Sequence, residues 1–312
     1  MADPTLSILI VNWNARAFLQ KCLVTLPHDE LPLEVWVVDN DSSDGSAERV
    51  RAEFPRVNLI ANEKNLGFAA GNNLAARHAR GRYFLLLNPD TQVPRGTLTE
   101  LIRFADANAH VGALGPALRN ADGSPQRSCW RGEPGLKMAF ADALYLWQVP
   151  YLASVIGSEY RADELRAARP VDHLLGACML IRRDAWAQVG ELDESYFLFL
   201  EETDWCVRAR RAGWEIFYAP HVAVTHFGQE SMRREPSRNL PHYYRSYVRF
   251  YRAHHRTPFG ASILKLIIAL GCVIRIALWG VRAQRAQTDH RRRLAREMGQ
   301  GYRQVLRELR SF

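Results

Sequence analysis

The feature that most restricts this chain is the rhythm of its first hundred residues, in which short unbroken apolar runs alternate with stretches of helical spacing. Residues 6–11, 35–38, 57–60 and 83–87 set apolar side chains next to one another instead of alternating them with polar ones. Strands of that kind are covered on both faces, as in a parallel sheet lying between helices. The segments between them, 15–25, 46–54 and 68–79, read as helices. Strand–helix–strand repetition implies right-handed crossovers and a doubly wound α/β layout. Ligands in such sheets lie beyond the carboxyl ends of the strands, so the segments that follow each strand are the ones to inspect.

At 312 residues the chain can hold one large α/β domain and a smaller appendage. Its 47% hydrophobic and 24% charged residues fit a globular class and exclude wholesale disorder. The net charge of +8 is unevenly spread: residues 1–227 carry 23 Lys and Arg against 28 Asp and Glu, residues 228–312 carry 18 against 5. The basic C-terminal part therefore calls for an anionic partner such as lipid headgroups, a phosphorylated substrate or nucleic acid. Five cysteines (Cys22, Cys129, Cys178, Cys206, Cys272) without a C-x-x-C pair argue against a zinc site or a disulfide framework and for a reducing compartment. The N-terminus lacks the basic and apolar regions of a signal peptide, and the expected location is cytoplasmic.

Farther along, residues 122–170 are less regular, rich in Trp and Tyr, and read as an excursion that shapes an acceptor site. Order resumes over 174–182, a helix opens near Glu201 and closes at Gly213, residues 214–219 and 222–226 read as extended, and 242–255 as helical. Residues 263–281 are long and apolar enough to consider as a membrane span, which needs roughly 20 residues. Lys265 and Arg275 interrupt the run, and a charge near a bilayer centre costs about 2.5 kcal/mol or more. On a helix Lys265, Arg275 and Arg282 fall within about 100° of one another, giving a polar edge and a broad apolar face. That pattern suits an interfacial helix, and the nine Arg of residues 282–312 would reinforce attachment to an anionic membrane surface. A helix packed on the protein's own core, followed by a solvated basic tail, is the alternative.

Several clusters carry candidate chemistry. After the second strand come Asp39-Asn40-Asp41-Ser42-Ser43-Asp44-Gly45-Ser46, acceptors for a base N–H or ribose hydroxyls, with Ser46 placed to cap a helix. The same residues would also make an ordinary polar turn. Asn65-Leu66-Gly67-Phe68 with Gly71 allow close backbone approach at a helix start, where anions are favoured. The fourth strand delivers Asn88-Pro89-Asp90 to the same sheet edge, where one carboxylate can hold a hard cation that bridges a diphosphate. Glu201, Glu202 and Asp204 cluster at a helix start, stabilised there by its dipole and suited to general-base work. His226 ends an apolar extended segment.

Taken in order, these segments resemble the family 2 glycosyltransferases, which have the GT-A fold, and among them the bacterial rhamnosyltransferases of O-antigen, lipopolysaccharide and cell-wall assembly. The matching residues also include Ser7 to Asn14, Gly176 to Arg183 and Asp193 to Phe197, and His226-Phe227-Gly228 closes the set. The resemblance runs from about residue 5 to 230. It implies an α/β GT-A catalytic domain over 1–230, with a nucleotide-binding half (1–115) and an acceptor half (116–230), and a basic helical region over 231–312.

By this resemblance Val11, Asn12 and Asp39 line the nucleotide base, with Asp41, Asn65, Gly67 and Asn88 also on the donor side. Asp90 stands for the last carboxylate of the family's Asp-x-Asp motif, whose first position is Asn88 here. Asp90 and His226 would bind Mg2+ or Mn2+. The family's Glu-Asp pair is Glu201-Glu202 in this chain, so the base is Glu202 or, as its rival, Asp204. The implied reaction is inverting transfer of a sugar such as L-rhamnose from a dTDP- or UDP-linked donor. Its acceptor would be a glycan or polyprenyl-linked carrier at the inner face of the cell membrane. A nucleotidyltransferase is the competing enzyme class, but it would carry a basic Gly-rich loop where Asn12-Trp13-Asn14-Ala15 stand. A non-catalytic membrane- or nucleic-acid-binding protein is the third reading; the basic tail has no nucleic-acid recognition motif.

Overall fold

The computed structural model describes residues 3–28, 30–130, 132–146, 165–228 and 235–312. The chain divides into two compact units: Met1–Arg131, Tyr160–Phe197 and Glu201–Gly228 form the first, and Gly132–Glu159, Leu198–Leu200 and Gln229–Phe312 the second. Of the acceptor-shaping excursion expected over 122–170, residues 131 and 147–164 lie outside the described residues.

The first unit is built on one sheet. Its amino-terminal part is β1 (Leu6–Asn12), β2 (Leu33–Asn40), β3 (Val57–Asn62) and β4 (Tyr83–Leu87), ordered β3-β2-β1-β4 and parallel throughout. Every residue of β1 is buried, as two covered faces require. Leu6, Ile8 and Ile10 pack on one face with α1 (Arg16–Thr25), while Leu9 faces the other with α3 (Phe68–His78). This period-two split is why an unbroken apolar run is needed. α2 (Ser46–Glu53) makes the crossover between β2 and β3. The predicted strands and helices of this half all form, with ends moved by a residue or two.

Beyond β4 the sheet changes character. β5 (Thr91–Gln92), α4 (Thr97–Ala107), β6 (Val111–Arg119), β7 (Pro125–Gln126), β8 (Cys129–Trp130), β9 (Arg169–Pro170), β10 (His173–Leu174) and β11 (Cys178–Arg182) follow. β11 lies antiparallel between β4 and β6, and β12 (Glu215–His226) runs parallel to β6. α6 (Arg183–Val189) and α7 (Glu201–Arg211) join the face that carries Trp186 and Trp205. The two extended segments expected at 214–219 and 222–226 are one strand, whose register shifts between Ala219 and Ala223. Pro220 has no N–H for the ladder, so a break in pairing there follows from the sequence.

The second unit is helical: α5 (Leu136–Ala143), α8 (Pro236–His254), α9 (Gly260–Arg285) and α10 (Asp289–Glu308). α8 begins earlier than predicted because Pro236 occupies its first turn, where a missing N–H costs nothing. The basic tail is not merely solvated: α10 buries Tyr302 and Val305 against Tyr244, Val248 and Leu264. Arg275 departs from the expected polar edge. Its side chain is 5% exposed, its guanidinium lies 2.9 Å from Asp142 and donates to the Asp142 carbonyl, and it covers the Tyr145 ring at 4.5 Å. Leu264, Ile268 and Cys272 share that inward face. The outward face is apolar, with Ile263, Leu266, Leu270, Val273 and Val281 all exposed.

Candidate active site

Strand pairing brings the two most separated candidates together. Asp90 sits directly before β5, and β5 pairs antiparallel with the end of β12, placing His226 opposite Thr91. The Phe227 N–H then donates to the Asp90 carbonyl at 2.9 Å. In consequence Asp90 Oδ1 lies 3.3 Å from His226 Nε2, with both side chains largely buried. Asn88 Nδ2 reaches the same ring nitrogen at 3.3 Å. Gly228 is part of this geometry, since a Cβ there would fall 2.2 Å from the imidazole.

The protonation of His226 follows from its other neighbour. Gln126 Nε2 donates to Asn120 Oδ1 at 3.1 Å, so the Gln126 Oε1 that lies 2.7 Å from His226 Nδ1 must accept from it. Nδ1 therefore carries a hydrogen, and in the neutral form of the ring Nε2 is left with its lone pair. In that form Nε2 accepts from the Asn88 amide and also faces the Asp90 carboxylate, acceptor against acceptor. Two ligand atoms about 2.1 Å from a hard cation and at right angles to each other lie about 3 Å apart, so this pair fits a shared cation. Among the described residues no three His, Cys, Asp or Glu side chains gather into a metal site. Further ligands would have to be phosphate or water oxygens, as is common for Mg2+. Gln126 is a residue that sequence reasoning missed: it stands on a two-residue strand within the irregular stretch, with no pattern to mark it.

The acidic cluster separates into three environments. Glu202 is 9% exposed, with backbone N–H groups that include that of Gly176 turned toward it. Its pKa is raised because burial disfavours the charged form, and those N–H groups only partly offset this. Its Oε2 has no hydrogen-bond partner. Glu201 is 3% exposed, and burial followed by the neighbouring Glu202 charge pushes its pKa well above the ordinary carboxylate range. Asp204 is clamped by Arg208, whose Nε donates to it at 2.8 Å and whose other nitrogens bond the Val189 and Glu191 carbonyls. Glu202 connects to the first group through two residues: Gly176 faces it, and the Ala177 carbonyl accepts from the Asn88 N–H at 2.9 Å. Phe199 and Leu200, directly before α7, both hold positive φ. Such strain in bulky residues costs about 1–3 kcal/mol each and tends to collect at working sites.

The nucleotide-side candidates lie at the ends of β1 and β2, where Asn12 and Asp39 are register partners. Asn12 Nδ2 donates to Asp39 Oδ2 at 2.8 Å, and Asp39 Oδ1 accepts from the Ser42 N–H. Asn12 Oδ1 is buried without a partner, an acceptor waiting for a donor. Asp41 is exposed, at a φ of 61°. β1 pairs Leu9 with Leu86, so the end of β4 emerges beside Val11 and Asn12. Gly67, at a φ of 88°, passes so close to Phe197 that a Cβ would lie 2.3 Å from its carbonyl oxygen. The Gly67 and Phe68 N–H groups are taken by Asn65 Oδ1 and by the Phe197 carbonyl. These two amides are therefore already engaged within the protein and are not offered to a phosphate.

Comparison with known proteins accords with this geometry. The model of "Glycosyl transferase family 2" matches residues 7–189. The chain is 30% identical to the N-acetylglucosaminyl-diphospho-decaprenol L-rhamnosyltransferase of Mycobacterium tuberculosis, over 80% of this chain and 85% of that one. It is 22% identical to the rhamnosyltransferase WbbL of Escherichia coli strain K12, over 72% and 84%. A mannosyltransferase from Pyrobaculum calidifontis, solved in complex with GDP-Man and Mn2+, superposes with a TM-score of 0.57 at 17% identity, over 99% of this chain and 87% of that one. With its sheet, its helical appendage and these matches in agreement, the chain belongs to glycosyl transferase family 2, has the GT-A fold and is a glycosyltransferase.

Proposed function

We propose that this glycosyltransferase is inverting and metal-dependent, moving L-rhamnose from a nucleoside-diphosphate donor to a polyprenyl-diphosphate-linked glycan in bacterial surface-polysaccharide synthesis. The observation that carries the reading is the 3.3 Å approach of the Asp90 carboxylate to Nε2 of His226, whose Nδ1 is held by Gln126. The rhamnosyltransferase relatives support the sugar, and the mycobacterial relative's diphospho-decaprenol substrate supports the acceptor class.

In this mechanism Asp90 and His226 would hold Mg2+ or Mn2+, and Gln126, accepting from Nδ1, would keep the imidazole in the ligating tautomer. The cation, when bound, offsets charge on the departing nucleoside diphosphate. Asn12 and Asp39 orient the nucleotide base, the unpartnered Asn12 Oδ1 taking a donor from it. Glu202 Oε2 removes the proton from an acceptor hydroxyl as that oxygen attacks the anomeric carbon and the bond to the diphosphate breaks on the opposite face. Glu201 keeps its proton, which lets Glu202 ionise beside it. Asp204 is committed to Arg208 and positions α7.

The second unit supplies attachment to an anionic membrane. α9 is by length and composition apolar enough to cross a bilayer, an 18-residue window of it having a mean hydropathy of 2.2. Its polar residue Arg275 faces inward, its outward stripe is apolar, and exposed Arg256 and Arg285 bracket it. An apolar face flanked by cations fits an interfacial helix lying on anionic lipid.

The test is a screen of nucleotide sugars for metal-dependent nucleoside diphosphate release, repeated with lipid-linked acceptors. The expected result is release from a deoxyhexose donor that Asp90→Ala and Glu202→Gln both abolish in folded protein. Full activity in both variants would end the assignment.

A further inference from the structure

In the second unit, α8 and α10 leave between them a cavity of about 780 Å³ whose walls are strongly basic. Arg238, His242 and Arg245 recur at helical spacing along α8, and Arg303 and Arg307 along α10, so each helix turns one face inward. Among the described residues the only carboxylate lining it is Glu308, which pairs with Arg245 at 2.7 Å and also takes Gln304. Arg238 meets Glu235 outside the lining, at 3.4 Å. Arg303 and Arg307 are exposed, and no carboxylate among the described residues lies within ion-pairing distance of either. His242 is held below the usual imidazole pKa by burial and then by the Arg245 and Arg238 charges, a sign of the positive field inside.

Massing four guanidinium groups around one concavity works against the fold, because like charges repel. A folding role would be met by alternating charges or by apolar contact. Guanidinium forks match phosphate oxygens in pairs, and several forks facing one space suit an anion with more than one phosphate charge. The volume lies within the range of small-molecule sites. We infer that the α8–α10 cavity, whose lining residues all belong to the second unit, binds a phosphate-bearing anion. The inference does not depend on the transfer reaction proposed above. The anion is either a soluble diphosphate or a phospholipid headgroup, and the chemistry of recognition is common to both.

The test compares the full-length wild type with an Arg303→Ala/Arg307→Ala variant, whose exposed positions leave the helical core untouched. Inorganic pyrophosphate is titrated calorimetrically in EDTA, which removes any cation-dependent binding at the other site. Sedimentation with phosphatidylglycerol and phosphatidylcholine vesicles is measured in parallel at about 0.1 M salt, where the Debye length is about 10 Å. The variant is expected to bind pyrophosphate at least tenfold more weakly. If binding to phosphatidylglycerol falls by a similar factor, the occupant is a headgroup; if only pyrophosphate binding falls, it is soluble. Equal binding of both probes by the two proteins, or no binding of either probe by wild type, overturns the inference. Circular dichroism of the variant excludes unfolding as the cause of a loss.

Discussion

Replacing Gln126 with leucine tests the metal-site reading at a residue that would touch neither metal nor substrate. The substitution keeps similar bulk and removes the acceptor 2.7 Å from His226 Nδ1. His226 is only 7% exposed, so its Nδ1–H is left buried without a partner, at a cost of about 1–3 kcal/mol. The ring can avoid that cost by moving its proton to Nε2, where it would donate to Asp90 and no longer act as a ligand. Either way the ligating state loses ground. Loss of such a supporting partner typically weakens metal affinity about 10–100-fold, or about 1.4–2.8 kcal/mol, which agrees with the hydrogen-bond figure. The assay is calorimetric titration of Mn2+ into protein saturated with nucleoside diphosphate. Gln126→Glu, which can still accept from Nδ1, should stay within a few-fold of wild type. Unchanged Mn2+ affinity in Gln126→Leu would refute the tautomer argument.

Other outcomes follow from the acidic pair and the helical unit. Glu202→Gln should lower transfer by about 10²–10⁴-fold, the usual worth of general-base help, while Glu201→Gln, which mimics a protonated neighbour, should stay within about tenfold of wild type; initial rates at saturating donor separate the two. Because Glu201 is raised well above its ordinary value of 4.5, the folded protein binds a proton that the unfolded chain has released, so stability falls as pH rises through that window. Glu201→Gln should flatten this fall in urea unfolding measured between acid and mildly basic pH, and an identical slope in both proteins would contradict the buried-carboxylate reading. Arg275→Ala removes charge-assisted hydrogen bonds to Asp142 and should cost about 1.5–3 kcal/mol in denaturant unfolding. Leu266→Ser/Leu270→Ser alters two exposed side chains, 71% and 46% exposed, and should leave stability within about 0.5 kcal/mol. The same change should weaken binding to anionic vesicles at least tenfold, and unchanged binding would remove the stripe from the account.

Much of the first unit was legible in the sequence because buried parallel strands declare themselves locally: β1, β2, β3 and β4 are apolar runs long enough to recognise. β5 and β7 are two residues each and carry no local pattern, yet they deliver Asp90 to His226 and Gln126 to the far side of the same ring. Their pairing is a tertiary fact that spacing along the chain does not encode. The antiparallel insertion of β11 was hidden for a related reason, since a buried run reads alike in either direction. At the acidic cluster, composition marked three carboxylates, but only packing separates them: Arg208 lies one helical turn beyond Asp204, whereas among the described residues no cation pairs with Glu201 or Glu202. The helical unit shows the opposite error. Helical geometry correctly grouped Lys265, Arg275 and Arg282, but a sequence does not say which side of a helix meets the protein, and the side bearing Arg275 turned inward because Asp142 and Tyr145 receive it.

The most direct measurement is pulsed electron paramagnetic resonance of Mn2+ bound together with nucleoside diphosphate, read for coupling to an imidazole nitrogen. A grip on the cation by Asp90 and His226 predicts a nitrogen coupling in wild type that disappears in His226→Ala, with Mn2+ binding lost in Asp90→Ala. Tight Mn2+ binding in Asp90→Ala, or a wild-type spectrum indistinguishable from that of His226→Ala, would contradict it.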